Sequence, residues 1–153
     1  TSEQFNGIEF VASIGSFAAQ SEYGFIKNKI SASDMLTITD PLYKGGYFEV
    51  SFFPTGGERI INSEKGKFDN VEVKSPVGEG GMGEVKIAAR YDTMDFTHET
   101  FGTKQNSYII GADWYLNNYM KVQANYAHTI IKNQLGLNTD LVDTFNIRLQ
   151  VSW

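Results

Sequence analysis

Cysteine is absent from this sequence of 153 residues. Disulfide bonds, thiolate metal sites and thiol chemistry are therefore excluded. Long apolar runs are also missing, since no stretch approaches the roughly 18 consecutive apolar residues that a membrane-spanning helix needs. Positive charge is scarce as well: 13 basic residues face 18 acidic ones, and the formal net charge is -5. This balance argues against a nucleic acid partner, which would need a basic surface.

Aromatic residues and a regular alternation of apolar and polar residues are what the sequence has instead. Aromatics make up 14% of the residues, with 11 Phe and 8 Tyr, and this composition suits strands better than helices. At the end of the chain every second residue is apolar: Phe145, Ile147, Leu149, Val151 and Trp153. A period of two predicts a β-strand with one dry face.

The same alternation occurs in seven segments, and no stretch shows helical spacing. We predict strands over residues 5–14, 17–27, 45–53, 84–93, 105–116, 119–130 and 142–153. Tight turns at 15–16 and 117–118 alternate with long polar connections, as in an antiparallel up-and-down meander. The long polar connections are residues 28–44, 94–104 and 131–141.

One connection, residues 54–83, is long although it falls at the short-turn end of the meander. It carries two prolines and seven glycines, and we expect a short additional hairpin around Val71 to Lys74. Its last part, GEGGMGEV at 78–85, matches the glycine-rich loop of protein kinases. No catalytic or magnesium-binding motif follows it, so we interpret it as a glycine turn.

Alternation alone does not say which face of each strand is in water, because soluble and membrane barrels share the pattern with opposite orientation. The polar positions carry charges on most strands: Glu9, Glu22, Glu49, Lys86, Arg90, Asp92, Asp113, Lys121 and Arg148. The strands reach the roughly 9 to 11 residues that span a bilayer, and aromatics fall at both ends of their apolar positions. We therefore predict an all-β, antiparallel up-and-down transmembrane β-barrel, with lipid outside and water inside.

Four stretches resemble the C-terminal part of the phosphate-selective porin O and P family. They are GYFEVSFFPTGGER (46–59), GMGEVKIAARYDTMDF (81–96), IIGADWYLNNYMKVQANYAHT (109–129) and DTFNIRLQVSW (143–153). The resemblance covers nearly the whole chain and implies a barrel of about sixteen strands. Seven strands cannot close such a barrel, so residues 1–153 would form a single barrel segment holding its C-terminal strands.

The resemblance also implies where the protein works and with what. It implies the outer membrane of a Gram-negative bacterium, contact with the lipid bilayer, a homotrimer, and passive diffusion of small anions such as phosphate or polyphosphate. Outer-membrane barrels commonly end in an aromatic residue that the insertion machinery recognises together with alternate apolar residues. That role falls on Trp153, Val151 and Leu149, with Trp in place of the usual Phe.

The candidate pore-lining residues are cations at polar positions. Lys86 and Arg90 share one face of a strand, Lys121 and Arg148 project from the last two strands, and Arg59 lies in the 54–83 connection. A ring of such cations lowers the barrier for anions. Alternatively, they pair with acidic residues across the strands. Four strand cations face five strand acids, so the residues alone do not predict anion selectivity.

No catalytic constellation is apparent, and we predict a protein without a cofactor that is not an enzyme. His98 and His128 lack a neighbouring cysteine or second histidine, so we expect rim residues and not ligands or bases. Two other hypotheses remain. One is a non-conducting outer-membrane barrel that uses loops 28–44 and 131–141 for surface display or adhesion. The other is a soluble β-sandwich binding module.

Overall fold

The computed structural model describes residues 2–29, 40–62, 64–98, 102–133 and 138–153. None of these residues forms a helix long and apolar enough to cross a membrane. The long strands are β1 (Ser2–Ile14), β2 (Phe17–Lys29), β3 (Leu42–Phe52), β6 (Glu84–Asp95), β7 (Thr103–Tyr115), β8 (Met120–Asn133) and β9 (Thr139–Val151). Two short strands, β4 (Ile61–Asn62) and β5 (Lys67–Phe68), form a separate hairpin.

The seven long strands form one antiparallel sheet in which neighbours follow chain order, β1-β2-β3-β6-β7-β8-β9. The predicted strands and their meander are confirmed. Each strand extends two or three residues further toward the long loops than the alternation predicts. Near the loops polar residues occupy both faces, so alternation fades while backbone pairing continues. Most of the predicted loops 28–44 and 131–141 lies outside the described residues.

The additional hairpin expected around Val71 to Lys74 is wrong in position. The connection does contain a hairpin, but it consists of β4 and β5, and residues 71–73 form no strand. Val71 and Val73 alternate with polar residues for another reason, since both are buried. The glycine turn predicted at 78–85 is present, and Gly78, Gly80 and Gly83 there have positive φ.

The two faces of the sheet differ in composition over most of their length. One row consists of Phe17, Phe52, Ile87, Ala112, Ala124 and Ile147, and we call the face that carries it the apolar face. A row on the other side consists of Glu9, Glu22, Tyr47, Asp92, Ser107 and Thr129, and we call that side the polar face. The alternation in the sequence therefore becomes two continuous surfaces.

Exposure on this sheet is the reverse of that in a water-soluble protein. On the apolar face Phe145, Ile147 and Leu149 are 66%, 68% and 61% exposed. On the polar face the charged residues Lys86 and Asp113 are 8% and 9% exposed. Soluble monomers rarely expose so continuous an apolar surface. The apolar face therefore needs lipid or protein against it, which argues against a soluble sandwich that would enclose these residues.

Both outer strands of the sheet have an unpaired edge. β1 and β9 each pair with one neighbour, and nearly all of their residues are exposed. A strand of 13 residues with free N–H and C=O groups is a template for further pairing. Both edges of the sheet are therefore open to further strand pairing.

Gly83 allows the glycine turn to pass close to the sheet. Its φ is 73°, and a Cβ at this position would lie 2.2 Å from the backbone oxygen of Tyr115. A left-handed backbone costs residues other than glycine about 1–2 kcal/mol. We expect Gly83→Ala to lower the free energy of unfolding by more than this amount, because the added Cβ also collides with Tyr115. The measurement is urea-induced unfolding of the full-length protein in lipid vesicles, followed by tryptophan fluorescence.

Gly56→Ala is the matched control for this experiment. Gly56 also has a positive φ, 89°, but a Cβ there would meet no atom within 4 Å. Gly56→Ala should therefore lower the free energy of unfolding only by the cost of the left-handed backbone. Equal losses of stability in the two variants would contradict the close approach at Gly83.

Candidate pore wall

The connection between β3 and β6, residues 53–83, packs against the polar face. Phe53, Val71 and Val73 are 1%, 7% and 4% exposed. The Phe53 ring stacks on Tyr115 of β7, with 6.4 Å between ring centroids. Burying a large apolar side chain stabilises by roughly 1.5–3 kcal/mol. This small core therefore holds the connection against the polar face at the short-turn end of the sheet.

Hydrogen bonds fix the same segment to the strands. The Thr55 hydroxyl donates to the carboxylate of Glu84 and accepts from the N–H of Val85 at 3.0 Å. The side-chain oxygen of Asn118, in the β7–β8 turn, accepts from the N–H of Val73 at 2.8 Å. Glu84 is 6% exposed, and a buried carboxylate without a donor would be destabilising. Thr55 is thus both an anchor of the connection and a partner that Glu84 needs.

Arg59 is carried by this connection onto the polar face. Its guanidinium carbon lies 4.3 Å from the centre of the Phe68 ring on β5. Arg59 lines an open cavity of about 210 Å³ together with Lys86 and Lys121 of the sheet. The structure thereby brings three of the predicted pore residues to one place, although Arg59 belongs to a segment without alternation.

Lys86 lies on the polar face, as predicted, but its charge is neutralised. Its Nζ is 2.6 Å from the carboxylate of Asp113, the residue directly opposite on β7. The Gln123 amide donates to the same carboxylate at 3.0 Å. Lys86 therefore pairs with an acidic residue across the strands, which was the alternative considered for the cations.

Arg90 lies on the same face and is also balanced by acidic residues. Its guanidinium contacts Asp92 at 2.7 Å and Glu49 at 3.9 Å, and it stacks 3.8 Å from the centre of the Tyr47 ring. Arg90 lies four positions after Lys86, which is about 13 Å along a strand. The two cations therefore lie at different positions along the strand axis on the polar face, and each has its own acidic partners.

Lys121 and Arg148 differ from the other strand cations. Within the described parts of the chain neither forms an ion pair within 4.0 Å. The Lys121 ammonium lies 5.5 Å from the centre of the Tyr115 ring, and Arg148 is exposed opposite Gln123 on β8. Together with Arg59, they leave a surplus of positive charge near the cavity, where Asp69 is the acid not paired with a cation.

Arg59 has a further property that alternation could not reveal. Its Nε is buried and has no hydrogen-bond acceptor among the described protein atoms. Buried donors are nearly always paired in folded proteins. An unpaired guanidinium N–H beside two other cations is a group that an anion can satisfy.

The histidines do not form a metal centre in the described residues, which contain no group of three or more His, Asp or Glu able to hold an ion. His128 lies on the apolar face near the long-loop end, opposite Asp143, with Nδ1 2.8 Å from the carboxylate. The Tyr126 hydroxyl donates to the same carboxylate at 2.6 Å. His128 thus lies within β8, toward its long-loop end.

The residues predicted as an assembly signal lie at the end of the apolar face. Leu149, Val151 and Trp153 are 61%, 49% and 106% exposed. The N–H of Ser152 donates to the Tyr119 carbonyl at 2.8 Å, which continues the pairing almost to the last residue. The three apolar side chains are accessible, and their recognition by insertion machinery stays a prediction.

Sequence reasoning missed the residues that position the connection. Glu84 and Tyr115 lie at polar positions at the strand ends, and Thr55 lies in an irregular segment. Trp114 lies at an apolar position of β7, and its indole N–H donates to the Met82 carbonyl at 2.8 Å. No local pattern marks such contacts, because they join residues about 30 positions apart in the chain.

Comparison with known proteins gives relatives for most of the chain. Porin O of Pseudomonas aeruginosa is 29% identical over 130 residues, which cover 78% of this chain and 28% of that protein. An uncharacterized protein of Caulobacter vibrioides is 29% identical over 105 residues, 68% of this chain and 21% of the relative. The chain thus spans between a fifth and a third of the length of these curated relatives.

A family comparison extends further along the sequence. Residues 3–153 match the family described as phosphate-selective porin O and P. This match covers every strand of the sheet and the connection that packs on its polar face. The chain belongs to the phosphate-selective porin O and P family.

Proposed function

We propose that this chain is the C-terminal part of an outer-membrane porin, and that its polar face lines a water-filled channel for passive diffusion of small anions. The reversed exposure of the sheet carries the proposal. Apolar residues such as Ile147 are open on one face, and charged residues such as Lys86 line the other. A sheet of this kind is stable with hydrocarbon against one face and water against the other.

The unpaired edges of β1 and β9 support a closed barrel in the whole protein. Every backbone polar group must be satisfied within the hydrocarbon region, and closure achieves this for strands. Seven strands are too few for a wide aqueous channel. The relatives are several times longer than the matched region, so a longer chain has room for the remaining strands. A Gram-negative outer membrane and a homotrimer are the setting that the family resemblance implies.

Anion preference in this segment would come from the cations that are not balanced. Arg59, Lys121 and Arg148 provide positive charge beside the polar face, whereas Lys86 and Arg90 are neutralised by their neighbours. A few accessible cations attract an anion without enclosing it, and weak binding of this kind allows release and conduction. The connection that holds Arg59 also occupies part of the space over the wall.

A second candidate function follows from the same connection. If residues 53–83 close the lumen, the protein is a non-conducting barrel for surface display or adhesion. Replacing the hairpin residues 61–68 by two glycines tests this in planar bilayers. A channel that the hairpin only narrows conducts in the wild type, and its single-channel conductance rises in the variant. Conductance that appears solely in the variant would contradict the porin proposal and favour the display barrel.

The role of the unbalanced cations is tested by Arg59→Gln/Lys121→Gln in the full-length protein. We expect the anion-to-cation permeability ratio to fall about fivefold, which corresponds to roughly 1 kcal/mol of lost attraction. The ratio is obtained from reversal potentials in a KCl gradient across a planar bilayer. Lys104→Gln/Lys132→Gln is the matched control, because it removes the same charge from the apolar face. An unchanged ratio, or an equal fall in the control, would contradict the proposal.

Arg90 provides a second test, since its charge offsets Glu49 and Asp92. Arg90→Gln leaves both carboxylates uncompensated on the polar face, so the anion-to-cation permeability ratio should fall. Arg90→Gln/Asp92→Asn restores the local net charge and should return the ratio close to the wild-type value. A double variant as impaired as the single one would show that charge balance at this position does not control selectivity.

A further inference from the structure

The apolar face changes character toward the long loops. On β6 and β7 the successive residue pairs are Ala89–Ile110, Tyr91–Tyr108, Thr93–Asn106 and Asp95–Lys104. The two tyrosine rings are in contact, with centroids 5.2 Å apart. The Tyr91 and Thr93 hydroxyls each lie 3.0 Å from the side-chain oxygen of Asn106. Apolar, tyrosine, neutral polar and charged residues thus follow in the order of a surface that leaves hydrocarbon and enters the headgroup region.

Lysines dominate this face beyond the tyrosines. A single cross-strand row contains Lys44 on β3, Asp95 on β6, Lys104 on β7 and Lys132 on β8. Lys27 on β2 lies next to it, two residues beyond Phe25, which pairs with Lys44. We call these four residues, Lys27, Lys44, Lys104 and Lys132, the lysine row. All four are exposed.

The lysine row carries more positive charge than the protein balances locally. Among the described residues, its one ion pair joins Lys104 Nζ to Asp95 across 3.9 Å. Lys104 and Lys132 are directly opposite each other on neighbouring strands. Like charges at such positions repel and destabilise a sheet. A sequence of net charge -5 has nevertheless collected lysines here, and an external anion would relieve the repulsion.

The paired cations of the polar face, in contrast to the lysine row, have acidic residues beside them. Lys86 has Asp113 directly opposite, and Arg90 contacts both Asp92 and Glu49. Those pairings leave no directly opposed cations on the polar face of the described strands. Among the described residues no second acid balances the lysine row, and an anion from outside the chain would supply that partner.

We propose that the lysine row binds the phosphate-bearing headgroups of lipids in the membrane leaflet on the long-loop side. The inference rests on the proposed function, because it requires the apolar face to contact the bilayer. The row is continuous with that face and lies four residues beyond the Tyr91–Tyr108 pair, about 13 Å along the strands. Tyrosines mark the edge of the hydrocarbon, and lysines just beyond it are drawn to anionic headgroups.

The test uses the full-length protein in uncharged detergent, titrated with phosphatidic acid and, separately, with zwitterionic phosphatidylcholine. Bound lipids are counted by native mass spectrometry. In Lys104→Gln/Lys132→Gln the affinity for phosphatidic acid should fall about tenfold, since two of the attracting charges are removed. Binding of phosphatidylcholine should not change. Equal affinity of wild type and variant for phosphatidic acid would overturn the proposal.

Arg59→Gln/Lys121→Gln serves as the matched control, since it removes the same charge from the polar face. It should bind phosphatidic acid like the wild type, and an equal loss in this control would also overturn the proposal. Inorganic phosphate at the same concentration should not displace the lipid. If it does, the row is a site for free anions. If the lysine-row variant alters the number of subunits and not lipid binding, the row is a contact between copies, and the lipid proposal is wrong.

Two further readouts separate this inference from the proposed function. Lys132→Gln should raise the Tm in lipid-free detergent by relieving the repulsion, and reduce the additional Tm increase that phosphatidic acid gives. An unchanged lipid effect on Tm would contradict lipid binding by the lysine row.

In planar bilayers Lys104→Gln/Lys132→Gln should keep the wild-type ion selectivity. A lower selectivity would mean that these lysines face the channel, so that the orientation of the sheet in the proposed function fails.

Discussion

An uninterrupted pairing register across seven strands is the constraint on which the rest of the structure depends. Side chains alternate between faces at every residue, so a slip of one residue in any pairing would exchange the faces of all later strands. The register has no such slip: Phe52 meets Ile87, and Ala124 meets Ile147. It also pairs the backbone groups of every inner strand, which a bilayer requires because hydrocarbon offers no hydrogen bonds.

The 53–83 connection is not positioned by strand pairing, because it has no partner strand in the main sheet. A core around Phe53 and hydrogen bonds such as that between Thr55 and Glu84 hold it in place. Close approaches at Gly83 bring it against the wall, where a side chain would collide with Tyr115. As a result, one of the three unbalanced cations, Arg59, is positioned by tertiary packing and not by the strand pattern.

The sequence was sufficient for the features that alternation controls: the strands, their order and the composition of each face. It was insufficient where long-range pairing decides. Lys86 could be placed on the polar face, but its neutralisation requires knowing that Asp113 stands opposite, which depends on register. A hairpin was expected around Val71 to Lys74, yet Val71 and Val73 belong to the connection and are buried. The accumulation of lysines near the loops obscured the strand ends, where both faces become polar.

The position of a cation relative to acids decides what it can do on this sheet. Lys86 and Lys104 are both strand lysines with an aspartate opposite on the neighbouring strand. Lys86 lies 2.6 Å from its aspartate and is nearly buried, so the pair forms a neutral part of the wall. Lys104 is exposed, lies 3.9 Å from Asp95 and has a second lysine, Lys132, on its other side. One aspartate cannot neutralise both, so the surplus charge persists at a surface continuous with the apolar face. Surplus charge on such a surface attracts groups that lie beside the apolar face, whereas surplus charge at Arg59 attracts groups that lie over the polar face.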